Sequence, residues 1–497
     1  MSQSAENRQG KKRWRHCKFL LPVLLLAFVS VVFLSLSGTA LAESVWCVKS
    51  DAPGPTHDGS SWTDAFLDLQ SALNAAQTGD QIWVAAGTYK PTDGTDRSIS
   101  FNLKSGVDLY GGFAGTETSV DARDWKSNPT ILSGDIGEPG VNTDNSYKVL
   151  AAEQVSGASI DAFTVTAGND GYNGTMSSPT FTNCSFSGNS GDGLNATGGS
   201  SGPAGHLTFS GCTFSGNSHD GLSIGYMGVA TCTDCTFSGN LRNGVTATIA
   251  TLTLTDCIFS GNSGNGADTS RSYPNITNCV FVNNSSIGVC LEESKGTGTL
   301  SNCTFTGNSG GGLSGDPDSH LVVTNCILWG DGDSEIDWLY PPVNEVLTVT
   351  YSIVQGGHAG TGNLDADPLF VNAAAGDVHL QLGSPAIDSG TSAGAPASDL
   401  DGVTRPRDGN GDYVFAFDMG AYEYPAPLPS LTLATGWNLV GNLLGHTPAA
   451  LVLPQGRVAF AYDPQSGYYS TLQLQPGQGA WVKAVQGEVL EFAPVVQ

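Results

Sequence analysis

Positively charged residues are scarce in this chain of 497 residues. Lysine and arginine together number 20 against 46 aspartates and glutamates, which gives a formal net charge of −26. Because proteins that recognise phosphate backbones depend on clustered lysine and arginine, this composition excludes nucleic acid as the default partner. Charged residues of both signs make up only 13% of the chain, against roughly a quarter in an average soluble domain. The sequence is not that of a coiled coil or a helical bundle.

Glycine, in contrast, is abundant. Its 65 residues are about twice the usual share, yet they keep no period of three, which excludes a collagen triple helix. The chain also contains 9 Trp, 14 Tyr and 20 Phe, enough to bury a large core.

Long apolar runs are almost absent as well, with one exception near the N-terminus. The run from Phe19 to Leu36 follows a cluster of basic residues and precedes the triplet Ala40-Leu41-Ala42. This order of basic, apolar and small residues predicts a secretory signal peptide at 1–42, cleaved after Ala42. An uncleaved signal anchor is the alternative, because the run approaches the length of a membrane span. After cleavage we expect no membrane span and a secreted or cell-surface protein.

Seven related segments begin at Thr182, each resembling TDCTFSGNLRNGV. Their cysteines are Cys184, Cys212, Cys235, Cys257, Cys279, Cys303 and Cys326, separated by 28, 23, 22, 22, 24 and 23 residues. A period in this range indicates a solenoid. The frame of a leucine-rich repeat is missing, and Thr, Val, Ile and Phe between Gly-Asn turns favour strands. Each repeat is therefore predicted to form one coil of a β-helix.

Aligned repeats give columns of equivalent residues. Two positions after each Cys stands an aromatic or Leu, which shares the buried face with the Cys. Three positions before each Cys is a second apolar column. Because an odd number of positions separates it from the Cys column, both columns can face the core only if the chain bends between them. Five positions after each Cys is an asparagine that we expect to stack from coil to coil and to tolerate a left-handed backbone. These asparagines are Asn189, Asn217, Asn240, Asn262, Asn284 and Asn308, with Asp331 closing the series.

The repeats resemble the right-handed parallel β-helix of the pectate lyase superfamily, and the segment from Val45 to about Tyr424 resembles bacterial secreted β-helix proteins of that kind. The predicted fold is all-β, with an N-terminal cap at 43–81, a parallel β-helix at 82–424, a Pro-rich linker at 425–429 and a small antiparallel β domain at 430–497. Phe66, Leu69, Leu73 and Ala76 recur at helical spacing in the cap, with Thr63 or Asp64 as the expected N-cap. Residues 363–390 and 399–424 resemble the terminal coils of such proteins, and we expect a monomer.

Ten cysteines remain after signal cleavage, which in an exported protein would ordinarily suggest disulfides. Seven of them fall in one column, where parallel side-chain vectors suit a bridge poorly. We therefore expect a stack of buried free thiols. Cys232 and Cys235 form a C-x-x-C motif, but they occupy two different columns, which argues against a metal or redox site.

The resemblance implies catalysis by acidic residues, either holding Ca²⁺ near an arginine base or acting directly as acid and base. Asp192 and Asp220 are the carboxylates stacked in one repeat column and are the weak catalytic candidates. The alternative is that Asp-Gly and Asn-Gly are interchangeable turn formers, since Asn243 and Asn265 follow in the same column. The outward residues beside the Cys and Phe columns contain no titratable group, so that sheet face is predicted to be inert.

One further motif suggests a cation. Asp408, Asn410 and Asp412 place oxygen ligands at alternate positions, as the start of a Ca²⁺ loop does. The twelfth position is Met419 instead of Glu, which leaves Asp418 or Glu423 to complete the shell. The alternative is an acidic turn that binds no ion.

Two classes of function remain. The first is an extracellular scaffold, adhesive or glycan-binding and without catalysis, whose partner is a polysaccharide or cell-surface glycan. The second is a polysaccharide lyase or glycoside hydrolase of the same fold. Because sites and not folds carry function, the unreactive sheet face favours the scaffold. Apart from Ca²⁺, no cofactor is expected.

Overall fold

The computed structural model describes residues 44–199, 205–294, 297–316, 319–332, 334–338, 347–412 and 414–424, with shorter segments between 430 and 494. The predicted signal peptide at 1–42 and the linker at 425–429 lie outside the described residues. Within the described part, no helix is both long and apolar enough to cross a membrane.

Three parallel sheets run along a solenoid of coils, and successive coils add successive strands to each sheet. Sheet A comprises Val45–Val48, Gln81–Ala85, Asp108–Phe113, Ser156–Asp161, Ser178–Thr182, His206–Ser210, Val229–Thr233, Thr251–Thr255, Tyr273–Thr277, Thr297–Ser301, His320–Thr324 and Leu347–Thr350. Sheet B comprises Gly87–Tyr89, Thr130–Ser133, Phe163–Thr166, Ser185–Ser187, Thr213–Ser215, Thr236–Ser238, Ile258–Ser260, Val280–Val282, Thr304–Thr306, Ile327–Leu328 and Ile353–Val354. Sheet C comprises Phe101–Asn102, Lys148–Glu153, Asp170–Thr175, Leu194–Thr197, Leu222–Gly225, Val245–Thr248, Ala267–Ser270, Ile287–Glu292, Gly311–Gly315 and Ile336–Trp338.

The strand register follows the columns of the sequence. In sheet A, Cys232 aligns with Phe209 on one side and Leu254 on the other. In sheet B, Phe237 aligns with Phe214 and Phe259. The prediction of a parallel β-helix is confirmed, and Cys232 lies in the apolar column that the sequence assigned to it.

The core of the solenoid is built from the stacked columns. The phenyl rings from Phe186 to Phe305 are nearly parallel, with centroids 4.6–5.2 Å apart. All ten described cysteines are buried and free. Within the Cys column, thiols donate to the carbonyl oxygen two residues earlier, as Cys257 does to Thr255 at 3.2 Å. The predicted thiol stack is confirmed.

The predicted asparagine ladder is also present, at the turn between sheets B and C. Each ladder side chain donates from Nδ2 to the Oδ1 of the next coil, at 2.8–3.0 Å from Asn189 through to Asp331. The same Oδ1 also accepts the backbone N–H of the preceding ladder residue, as Asn262 Oδ1 does from the Asn240 N–H. The expected left-handed backbone lies one residue earlier, for example at Gly239 with φ 62°. The asparagine itself adopts ordinary angles because its role is hydrogen bonding.

A short helix, Leu69–Ala75, lies between the first two strands of sheet A and buries Leu69, Ala72 and Leu73 against the first coils. The predicted N-cap at Thr63 or Asp64 is wrong. Asp68 is the cap, because its extended backbone lets its carboxylate accept from the Ser71 N–H at 2.7 Å. The Asp64 carboxylate instead accepts from the Thr56 hydroxyl at 2.7 Å.

The described residues after Val354 add no strand to the three sheets, whereas the sequence analysis placed them in terminal coils. They contain a short antiparallel pair, Phe370–Asn372 with Asp377–Leu380, and the 3₁₀ turn Ala373–Ala375; a second 3₁₀ turn, Val120–Ala122, lies in an early coil. Residues 384–424, here called the return segment, fold back along the last coils. The segment lacks the Cys and Phe columns, and its apolar residues pack on the outside of sheet B.

The small C-terminal β domain is antiparallel, as predicted. Its strands form one pair, Ser430–Leu433 with Glu488–Glu491, and two further sheets. The four-stranded sheet runs in the order Gly436–Gly441, Gly479–Ala484, Ala459–Asp463 and Gly467–Thr471. The three-stranded sheet runs in the order Gln473–Leu474, Leu451–Val452 and Ala493–Pro494.

The ladder predicts a specific sensitivity to substitution. Asn262→Ala removes a buried amide that accepts from Asn240 and donates to the Phe237 carbonyl oxygen at 3.0 Å. We expect the free energy of unfolding to fall by about 3 kcal/mol, because several buried polar groups lose their partner. Urea denaturation measures this. The matched control is Ser263→Ala, on the same turn with an exposed side chain; equal midpoints for both variants would contradict the structural role of the ladder.

Candidate functional site

The two catalytic candidates belong to a second ladder of turns. Asp192 Oδ1 accepts the Asp220 N–H at 3.1 Å, and Asp220 Oδ1 accepts the Asn243 N–H at 3.0 Å. Asn243 Oδ1 then accepts the Asn265 N–H at 2.7 Å. Aspartate and asparagine use the same oxygen for the same contact, so the geometry favours the interpretation of these residues as turn formers.

Both carboxyl groups are nevertheless perturbed. Burial raises the pKa of Asp192 and that of Asp220. The His219 ring lies 3.9 Å from Asp192, from Nδ1 to Oδ1. Asp170 on the preceding coil extends the series, since its Oδ1 accepts the Asp192 N–H at 3.3 Å. The structure therefore brings three carboxyls and one imidazole together on adjacent coils. Residues 200–204, within the long step of 28 residues between Cys184 and Cys212, lie outside the described residues.

The outer face of sheet B changes character along the solenoid. On early coils it presents Ser and Thr side chains, and on late coils Val280, Val282 and Ile327 are buried on this side. Met419 and Ala421 of the return segment pack there. This face was predicted to be unreactive, but its covering by the return segment was not predicted. The covering could have been inferred from the outward residues of sheet B, which change from Ser and Thr on early coils to Val and Ile on late coils.

The return segment is attached by a buried ion cluster. The guanidinium of Arg405 is fully buried, lies 3.5 Å from Glu423 and donates to Asn278 Oδ1 at 3.1 Å. Burial raises the pKa of Asp418 to about 7 and that of Glu423 to about 8. Their remaining contacts are backbone N–H groups, as between Asp418 and Tyr424 at 2.6 Å. The cluster fixes the segment to the turns of the solenoid, and no pattern in the sequence pairs these residues.

The predicted Ca²⁺ loop forms a series of side-chain turns. Asp408 Oδ1 accepts the Gly411 N–H at 2.7 Å, Asn410 Oδ1 accepts from Asp412 at 2.9 Å, and Asp412 Oδ1 accepts from Val414 at 2.8 Å. Asp418 and Glu423, expected to complete the shell, are engaged in the Arg405 cluster. Among the described residues, no three His, Cys, Asp or Glu side chains are placed to hold one ion. The Asp388 carboxylate also contacts this loop, where it accepts the N–H groups of Gly409 and Asn410 at 3.2 and 2.9 Å. A cation there would need backbone oxygens and water in addition to these side chains.

The far end of the asparagine ladder opens into a cavity of about 670 Å³. Asp331 and Glu335 line it together with Trp338, Gln355 and His358. Burial and the neighbouring Glu335 raise the pKa of Asp331 to about 8, and burial also raises the pKa of Glu335. The sequence analysis noted Asp331 only as the last member of a column.

A face of exposed aromatic rings covers the four-stranded sheet of the C-terminal domain. Trp437, Phe460 and Trp481 are 55%, 40% and 39% exposed, whereas Ala459, Ala461, Ala480 and Val482 on the opposite face are buried. Rings meet at close range, with Trp437 and Phe460 at 5.7 Å and Tyr462 and Tyr468 at 5.1 Å between centroids. We call the residues Trp437, Phe460, Tyr462, Tyr468 and Trp481 the aromatic face.

This arrangement inverts the usual pattern of a sheet, in which large apolar residues face inward. Trp437, Phe460, Tyr468 and Trp481 line a depression of about 430 Å³. An exposed apolar patch on a folded domain indicates a binding surface. The sequence analysis assigned no role to this domain, although Ala-Phe-Ala-Tyr at 459–462 already alternates small and aromatic residues.

Comparisons with known proteins agree with the fold. A family model described as a right handed beta helix region matches residues 170–328. The crystal structure of pectate lyase Pel9A superposes with a TM-score of 0.52 at 16% identity, covering 77% of this chain and 96% of that chain. The A-module of the mannuronan C-5 epimerase AlgE4 from Azotobacter vinelandii gives 0.44 at 16% identity, covering 64% and 89%, and a rhamnogalacturonan lyase gives 0.42 at 11%, covering 66% and 90%. No curated protein sequence matches the chain.

At these identities the similarity shows the fold alone: a right-handed parallel β-helix like that of the pectate lyases. The resemblance seen in the repeats is thereby confirmed.

The buried arginine gives a testable prediction. Arg405→Met should lower the free energy of unfolding by about 3 kcal/mol, because removing one partner of a buried ion pair leaves uncompensated carboxylates. Loss of the Arg405 ion cluster should also let a protease cut within residues 384–424 faster than in the wild type. Arg242→Met, at an exposed turn, is the control. Identical stability and cleavage in both variants would show that the segment is held by its apolar contacts alone.

Proposed function

We propose that this protein is an exported, non-catalytic β-helix scaffold that binds polysaccharide, and that the aromatic face is its contact surface. The observation that carries the proposal is the exposure of the Trp437, Phe460, Tyr462, Tyr468 and Trp481 side chains on one side of a sheet whose other side buries Ala459, Ala461, Ala480 and Val482. A sheet that needed only a stable core would bury those rings.

The chemistry of the face suits sugar rings. Flat aromatic side chains offer apolar area at low conformational cost, and tyrosine hydroxyls add polar contacts at their edges. The cationic Lys483 lies 5.9 Å from the Trp437 ring, so the face is not purely apolar. A chain of net charge −26 repels polyanions at long range, which favours neutral over acidic glycans.

The solenoid itself supplies length. About eleven coils with a strand spacing of roughly 4.8 Å give a rod of about 50 Å. Hydroxyl rows on the open part of sheet B, such as Ser185, Thr213 and Thr236, add hydrogen-bonding groups along it. The similarly folded protein at a TM-score of 0.52 is named a pectate lyase, which supports a polysaccharide as the class of partner.

A second candidate function is a lyase or hydrolase acting at Asp192 and Asp220. One observation favours it: the raised pKa of both buried carboxyls beside His219. Against it, each carboxylate already accepts a backbone N–H of the next coil, and catalysis by proton transfer needs a group that can reach the substrate.

The binding proposal makes a direct prediction. The double variant Trp437→Ala with Trp481→Ala should lose at least tenfold in affinity for a neutral polysaccharide that retards the wild-type protein in affinity electrophoresis. The control is Tyr226→Ala, which removes a comparably exposed ring from the solenoid. A double variant retarded as strongly as the wild type would contradict the assignment of the aromatic face.

The absence of catalysis is tested separately. The mature chain, incubated with polygalacturonate, alginate and neutral glycans, should give neither unsaturated products by ultraviolet absorbance nor new reducing ends. Turnover that disappears in Asp192→Asn or Asp220→Asn would replace the scaffold by the enzyme. Ser190→Ala, on the same turn, is the control for a nonspecific effect on folding.

A further inference from the structure

The asparagine ladder ends on the aspartate Asp331, where an asparagine would make the same ladder hydrogen bonds. Asp331 Oδ1 accepts from the backbone N–H and from Nδ2 of Asn308, at 2.7 and 2.8 Å. An asparagine at this position offers the same oxygen, as it does on the six preceding coils. The change from amide to carboxyl therefore adds an ionisable group, which can lose its proton to a bound cation, without adding a ladder contact.

A second carboxylate lies against the first. Glu335 Oε1 accepts the N–H groups of Gly330 and Asp331, at 2.8 and 3.2 Å. The remaining oxygens, Asp331 Oδ2 and Glu335 Oε2, have no hydrogen-bond donor, although the two residues are only 8% and 7% exposed. Buried carboxylate oxygens without a partner are costly, and two of them together repel each other.

Both residues line the 670 Å³ cavity at the end of the ladder. Among the described residues that line it, none is a lysine or arginine that could neutralise the pair. The basic side chain in the lining is that of His358, whose Nδ1 lies 2.9 Å from the Ala359 carbonyl oxygen. Gln355 and the indole of Trp338, whose Nε1 also has no acceptor, complete the polar part of the wall.

We propose that Asp331 and Glu335 bind one divalent cation of the Ca²⁺ class through Asp331 Oδ2 and Glu335 Oε2. Ca²⁺ takes six to eight oxygen ligands in flexible geometry, and the cavity has room for waters to supply those that the protein does not. A neutral hydroxyl would satisfy the oxygens but leave the paired negative charge uncompensated, so a cation fits better than a sugar. This site is distinct from the loop at Asp408, Asn410 and Asp412.

Terbium luminescence tests the proposal, because Tb³⁺ replaces Ca²⁺ and is sensitised by aromatic side chains close to the ion, here the indole of Trp338 in the cavity wall. With the chelator-treated full mature chain, excitation of tryptophan should give Tb³⁺ emission that saturates and that Ca²⁺ displaces. Asp331→Asn and Glu335→Gln should each weaken Ca²⁺ binding at least tenfold by calorimetry. Asp331→Asn continues the asparagine ladder, so its fold is expected to persist and is checked by circular dichroism.

Two further variants locate the ion. Trp338→Phe should abolish the emission while the heat of Ca²⁺ binding remains, and Asp408→Ala with Asp412→Ala should change neither signal from the cavity. If the heat disappears in the loop variant and persists in Asp331→Asn, the ion is held by the loop and the proposal is wrong. If the wild type binds neither ion, a shared proton satisfies the pair, and the proposal is equally overturned.

Discussion

The hydrogen bond from each buried asparagine to the next coil is the constraint on which the solenoid depends. A coil of about 22 residues cannot close a core alone, and its turns would leave polar backbone groups buried. The Oδ1 of each ladder residue accepts a backbone N–H of the neighbouring coil, and Nδ2 passes the same interaction on. This fixes the register, and the register in turn stacks the phenyl rings from Phe186 to Phe305 over one another. The ring stack and the thiol stack follow from that alignment.

The same constraint limits where function can reside. In the second ladder of turns, Asp192 and Asp220 accept backbone N–H groups that hold adjacent coils in register. On later coils, the return segment covers the outer face of sheet B. Groups that the turns do not use are found elsewhere in the chain: the oxygens Asp331 Oδ2 and Glu335 Oε2 after the last ladder asparagine, and the aromatic face of the C-terminal domain.

The repeats predicted the parallel β-helix, its core columns and the free thiols, because each of these is a local pattern repeated at one period. The sequence could not predict the return segment. Arg405 meets Asn278 across more than 120 residues, and no period links them. The N-cap was predicted at the wrong residue because Thr63, Asp64 and Asp68 are all acceptable capping residues. The extended backbone at Asp68 lets this residue cap the helix, and the sequence does not show that angle. The Ca²⁺ loop at Asp408, Asn410 and Asp412 remains a prediction.

Hydrogen–deuterium exchange measured with and without a bound neutral polysaccharide tests whether the aromatic face binds the glycan. We expect slower amide exchange in Gly436–Gly441, Ala459–Asp463 and Gly479–Ala484 when the glycan is present, with the solenoid turns unchanged. Slower exchange confined to the turns around Asp192 and Asp220, with the C-terminal sheet unaffected, would contradict it and place the glycan on the β-helix.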